Sequence, residues 1–422
     1  MDIIGIIGWG LNFFTWMVPS PSKAISERYK RFFARKKNTQ LLESLCGSER
    51  FLDTNTILKL GYGLPYYGDN DIDRIEQDRK FFIPIPRQNN MISKTFCQSI
   101  VNSELYADTN NCFNDSFWGT KLFSDIFKKV GLSWDSKTMK ELGEQAEKAA
   151  TFFNDNLNCD NPKQWFNGLL YGVWSFKRSK KKDESDCVEI SYFVTDYFTH
   201  LVFKYFYQAN AILKTNLPQM ISTDGIAFPF LTSFGVSIIA ILSSNSINAP
   251  IDESDIVVIA QRSDNAMPNP GKLHFSMNEA FIPSDKIYMT VTPDFSVCAS
   301  RGFIEELNWH ESQGNLQFSK FMYTSFVFDA EECEMGITGL VKISPRKELL
   351  NNPKKAQEYL SDMYKKARDR ELESKGLFFT SIKELPQYIA EKGKDMSSGF
   401  LNALNDLIIR YKDKNNKIIF SE

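Results

Sequence analysis

Apolar residues recur at helical spacing through residues 136–154, where Met139, Leu142, Ala146, Ala149 and Phe153 fall on one face. That 3.6-residue period predicts an amphipathic helix. The pattern then tightens. Leu169 to Phe176 and Val188 to Val194 are short, branched and aromatic runs that predict two strands. The charged segment between them, which begins Lys177-Arg-Ser-Lys-Lys-Lys182, reads as their hairpin loop, with phosphate contact as the lesser alternative. An aromatic-rich helix is expected from about Asp196 to Leu213, with Tyr197, Phe198, Phe203, Tyr205 and Phe206 as core.

Beyond Asp224-Gly225 the strand signals become dense. Phe234 to Leu242, Asp255 to Arg262 and Gly271 to Phe275 predict three strands, followed by a helix from about Thr292 to Trp309. Thr292 is expected as its N-cap, with Pro293 in the first helical position and Asp294 at the positive end of the dipole. Phe303 and Leu307, together with Ile304, are expected to face a mixed sheet. Phe318 to Phe328 and Ile337 to Ile343 read as further strands, and the tail from about Pro353 to Lys412 as helical.

Residues 3–18 break this pattern. They form an uncharged run rich in Ile, Phe and Trp, followed by Lys23, Arg28, Lys30, Arg31, Arg35, Lys36 and Lys37. The run falls just short of the ~17 residues at the lower limit of a spanning helix. Two readings stand: a membrane-associated helix or hydrophobic-partner segment, and a helix docked on the protein's own core. The organisation expected is an apolar helix at 1–18, a basic linker at 19–40, an α/β unit at 41–215 and a second α/β domain at 216–422.

Composition narrows the chemistry. Fifty basic residues against 52 acidic ones give a net charge of −2, which argues against a whole-protein footprint on nucleic acid. Seven scattered cysteines without a CxxC pair exclude a disulfide framework or a cysteine zinc site and fit a reducing, cytoplasmic setting. With three histidines in the chain, any metal is expected on carboxylates.

The order of the second half carries a family resemblance. An apolar strand, Val236–Leu242, leads to Ile256–Arg262, which ends in Gln-Arg. Gly271–Phe275 follows, then a helix with Ala299-Ser-Arg-Gly-Phe-Ile-Glu-Glu-Leu-Asn-Trp309. This resembles the Nudix hydrolases. Arg301, Phe303, Glu305, Glu306 and Trp309 match the family box position by position. Gly302 stands where the box has a glutamate, Asn308 where it has a glycine, and Pro293 and Ile287 replace its first glutamate and first glycine.

The resemblance implies an α/β (α+β) fold whose C-terminal part is a mixed-sheet α/β/α sandwich with an eroded catalytic box. It implies a nucleotide or nucleoside-diphosphate-type ligand, weak or absent hydrolysis, and Mg²⁺ or Mn²⁺ as the cofactor if one is used. Arg301, Glu305 and Glu306 are the implied catalytic residues, with Glu305, Glu306 and Glu279 as metal ligands. Arg262 and His274 would contact the ligand, and Glu332 or Glu334 could supply a base. An active metal-dependent hydrolase is the alternative. A second alternative is a membrane-associated sensor or effector, since the layout also resembles bacterial antiphage signalling proteins in which membrane segments join Nudix-like domains.

Overall fold

The computed structural model describes residues 57–59, 66–67, 72–83, 121–157, 167–180, 186–243, 245–264, 266, 269–286, 293–310, 316–330, 332–345, 352–368 and 373–412. The strands are β1 (Ile57–Lys59), β2 (Tyr66–Tyr67), β3 (Ile72–Lys80), β4 (Leu169–Lys180), β5 (Asp186–Asp196), β6 (Phe234–Leu242) and β7 (Ile256–Arg262). They continue with β8 (Leu273–His274), β9 (Met277–Ala280), β10 (Leu316–Phe318), β11 (Met322–Asp329), β12 (Glu334–Pro345) and β13 (Ser374–Ser381). The helices are α1 (Lys121–Lys129), α2 (Ser136–Leu157), α3 (Tyr197–Ala209), α4 (Ala211–Asp224), α5 (Phe295–Leu307), α6 (Pro353–Tyr364), α7 (Leu385–Lys392) and α8 (Ser398–Lys412).

The main sheet runs β1-β11-β12-β6-β7-β13. Within it β12 and β6 are parallel while β11–β12, β6–β7 and β7–β13 are antiparallel. The architecture is therefore mixed α/β, with helices on both sides of the sheet. Alternation along β6 decides which residue meets which layer. Val236, Ile238 and Ala240 enter the larger core, beside residues of α1 to α6. Ile239 and Ile241 turn to the opposite face and pack with Leu385, Ile389, Phe400 and Leu404 of α7 and α8. With both faces buried, β6 is apolar at nearly every position.

The larger core includes residues from Phe81 through Tyr364, and β1 and β2 pair with β11. A second sheet, β3-β5-β4, lies in the first half. Asn210 separates α3 from α4 where one helix was expected, closing the first and N-capping the second through Leu213 N at 3.0 Å. Gly225 ends α4 at φ 65, and a Cβ there would meet the Phe176 carbonyl oxygen at 2.0 Å. On α2, Leu142, Ala146, Ala149 and Phe153 are buried as expected, but Met139 is exposed. Thr138 takes the inner place, its hydroxyl donating to Ser133 O at 2.6 Å. Strand β4 runs into the expected loop, as far as the pair Lys180↔Asp186.

One expectation is corrected outright. A spanning helix needs ~20 apolar residues, and among the described residues no helix is long and apolar enough to cross a membrane. The membrane-associated reading, with its membrane or hydrophobic partner, is withdrawn together with the membrane sensor or effector built on it. Residues 3–18 themselves lie outside the described residues.

Candidate functional site

The site forms where β6 and β7 part. They pair only at Ile241↔Val257 and Leu242↔Ile256, after which β9 pairs with β6 and β8 with β7. The Ser276 hydroxyl bridges the split, accepting from Ala240 N at 2.8 Å and donating to Val258 O. A hydroxyl thus satisfies two backbone groups that the interrupted ladder would leave unpaired.

Helix α5 lies against β9. Asp294, not Thr292, caps it, accepting from Ser296 N at 2.7 Å and Val297 N at 3.2 Å, and Pro293 precedes the helix in a bridge to Lys286. Phe303 and Leu307 are buried as expected, whereas Ile304 is exposed. The approach of helix to strand depends on Gly302, where a Cβ would stand 2.5 Å from Met277 Sδ and 3.1 Å from Glu279 Cβ. At the other end Asn308 adopts φ 55 and its N–H returns to Ile304 O at 3.0 Å. Asparagine tolerates that left-handed C-cap, so the helix ends there without a glycine.

Arg301 is the centre of the cluster. Its Nε and Nη2 grip Asp285 Oδ1 and Oδ2, each at 2.9 Å, and Nη2 also donates to Ala280 O at 2.7 Å. Its Nη1 stands 3.1 Å from Glu279 Oε1 and 3.5 Å from Glu305 Oε2. Five oxygens thus surround the five N–H groups of one guanidinium. Glu305 Oε2 meets a second guanidinium, Arg368 Nη2, at 2.9 Å. Glu306 is buried and accepts from Asn278 N at 3.2 Å.

Burial dominates the electrostatics. It pushes the Glu279 carboxyl up to about 7, against the pull of Arg301 and with a further push from Glu305 and Glu373. Burial, then Glu279 and Glu373, raise Glu306 well above the carboxylate range, which favours its neutral form at neutral pH. Arg301 is raised further, because Asp285 and Glu279 outweigh the cost of its burial.

The sequence-predicted residues divide between three places. Glu279, Arg301, Glu305 and Glu306 come together around the α5–β9 contact. Arg262 and His274 are both buried in the adjoining strands, with Arg262 Nη2 3.4 Å from Glu373 Oε2. Burial and the Arg262 charge hold His274 well below its ordinary range, so it is a neutral ring. Glu332 and Glu334 turn to α3 instead, where Glu332 bonds Lys204 and Glu334 stands 3.2 Å from His200. Lys177 pairs with Glu189 at 2.7 Å.

Sequence reading missed Asp285, Arg368 and Glu373. Asp285 sits in a short turn, where its carboxylate also accepts from Ile282 N at 3.0 Å, and such an aspartate reads as turn chemistry. Arg368 and Glu373 belong to a charged connection between α6 and β13, with no spacing that links them to α5.

A divalent cation prefers several free carboxylate oxygens. Here Glu305 is shared by two arginines, Glu279 faces Arg301, and Glu306 is buried against a backbone amide. Among the described residues no group of three or more His, Cys, Asp or Glu side chains is placed to hold a metal ion. Each of these carboxylates is thus already engaged by an arginine or a backbone amide.

No family model and no curated protein matches the chain. Among the solved structures similar to parts of it are the following two. The Deinococcus radiodurans protein DR0079 is 12% identical, over 41% of this chain and 81% of that one, at a TM-score of 0.25. The Nudix hydrolase RenU of M. smegmatis is 10% identical, over 42% of this chain and 82% of that one, at a TM-score of 0.22. Likenesses this distant carry no weight for activity.

Proposed function

We propose that the chain binds a nucleotide or nucleoside-diphosphate-type ligand beside α5 and hydrolyses it weakly or not at all. The observation that carries the reading is the contact at Gly302. The residue standing at a glutamate position of the Nudix box has Met277 Sδ 2.5 Å from where its Cβ would be. Position 302 thus carries no carboxylate, any side chain there would have to displace Met277, and hydrolysis of a diphosphate lacks a group that would hold metal or activate water. The guanidinium groups of Arg262 and Arg368 supply the chemistry for phosphate, which they can grip through paired N–H donors.

The test uses purified full-length protein and a panel of nucleoside diphosphate derivatives, with and without Mg²⁺ or Mn²⁺. Calorimetry is expected to find binding, and product analysis to find little or no cleavage. Robust turnover that disappears in Glu305→Gln and Glu306→Gln variants supports the second reading, an active metal-dependent hydrolase. The observation favouring that reading is the placement of Arg301 within 3.5 Å of both Glu279 and Glu305.

A further inference from the structure

We propose that the chain pairs with a second copy of itself along β13, joining two main sheets edge to edge about a two-fold axis at Phe378. Neither the ligand nor the α5 carboxylates take part.

Strand β13 ends the main sheet, and among the described residues it pairs with β7 alone. The phase of that ladder fixes which groups point outward. Ile382 N donates to Asp255 O at 2.8 Å. Bonded pairs alternate along an antiparallel ladder, so Thr380 and Phe378 bond to Val257 and Ile259. Leu377 and Phe379 stand opposite Ala260 and Val258 and turn away. Val258 O is taken instead by the Ser276 hydroxyl, on the far side of β7. The N–H and C=O groups of Leu377 and Phe379 are therefore aimed at the open edge. Edge strands are ordinarily blunted by a charge, a proline or a bulge. Here the bulge lies between Ser374 and Gly376 and the charge at Lys375, while residues 377–381 carry none of the three. Phe378 stands 41% exposed on this stretch. A trough of about 580 Å³ opens beside it, between Phe379 and the face of α6 that carries Lys354, Glu358 and Ser361.

A second β13 matches this edge group for group. Run antiparallel, Leu377 of each copy faces Phe379 of the other, and both pairs exchange N–H and C=O bonds. Phe378 meets its own counterpart at the non-hydrogen-bonded position between them, where side chains approach most closely. An aromatic pair there is favourable, and no like charges fall opposite one another along 377–381. The contact uses the same patch on both chains, so the assembly closes at two.

The experiment is sedimentation equilibrium of full-length protein at up to about 100 µM, where a contact at the small end of the interface range still assembles. Wild type is expected as a dimer of 48.6 kDa chains. Phe378→Lys and Phe378→Glu each set like charges face to face and are expected to weaken association about tenfold or more. An equimolar mixture of the two variants is expected to regain the dimer, because opposite charges then meet at the axis. Melting temperatures establish that the variants are folded. Phe378→Cys is expected to cross-link two chains on mild oxidation, under conditions where wild type does not, since facing Cα atoms at such a position lie within disulfide reach. A monomeric wild type overturns the proposal and leaves the edge to an extended strand of another protein. So does a dimer indifferent to charge at position 378, a mixture that stays monomeric, or a Phe378→Cys protein that does not cross-link. Failure to bind any nucleotide would sink the proposed function and leave this inference standing.

Discussion

Arg301 and Gly302 are neighbours on α5 with opposite duties. Arg301 neutralises Asp285, whose side chain is almost wholly buried. Arg301→Ala would leave that carboxylate without its guanidinium, and losing one partner of a buried pair costs about 3–5 kcal/mol. Denaturant unfolding should register a loss of that order. Arg301→Lys should recover only part of it, because an ammonium cannot reproduce the two parallel bonds. Gly302 contributes by absence of a side chain. Gly302→Ala places a methyl against Met277, and overpacking of this kind costs about 1–3 kcal/mol. A melting temperature unchanged from wild type would refute the close approach. The pairing of Arg301 with Glu305 was legible from their four-residue separation. The dominant partner, Asp285, was not, because a contact between residues sixteen apart in sequence leaves no periodic trace.

At the scale of elements, local chemistry explains both the successes and the misses. β6 and β7 are long apolar runs, and their ranges were readable from branched residues alone. β9 was not, since Met277-Asn-Glu-Ala280 has no strand signature and pairs with β6 only because β6 and β7 diverge. β13 lay inside a stretch whose charged surroundings read as helix, yet Leu377, Phe378 and Phe379 pair with Ala260, Ile259 and Val258 of β7. The division of the expected 196–213 helix has a single-residue origin. Asn210 accepts from Leu213 N while its own backbone is extended, so it starts a new helix. Asn210→Ala should cost about 1 kcal/mol, and Asn210→Gly less, as measured by chemical denaturation. Asp196→Ala should cost more. That side chain is fully buried, caps α3 at Thr199 N (2.8 Å) and also accepts from Asn167 Nδ2 at 2.8 Å.

At the scale of the molecule, α3 is tied to the β11–β12 turn by charge as well as by packing. His200 and Lys204 lie one turn apart on α3 and meet Glu334 and Glu332. The acidic connection was readable in sequence as a solvated turn or a source of a base. Its partners were not, because they lie more than a hundred residues earlier. Burial raises the Glu334 carboxyl, but the His200 hydrogen bond and the charges of His200, Lys204 and Arg262 outweigh it, and the group is held below its ordinary range. A carboxyl depressed on folding contributes stability that is complete above its unfolded pKa, near 4.3, and is lost as pH falls through the folded value. The buried Cys333 and Tyr197 beside it are both raised and stay uncharged in that window. Glu334→Gln should therefore be less stable than wild type above about pH 5.5, where Glu334 is ionised. Below about pH 4 the margin should shrink as the wild-type carboxylate takes up its proton. Thermal unfolding of both proteins across pH 3–7 measures it directly. A margin that stays constant down to pH 3 would mean that the Glu334 charge does not help to hold α3 on the sheet.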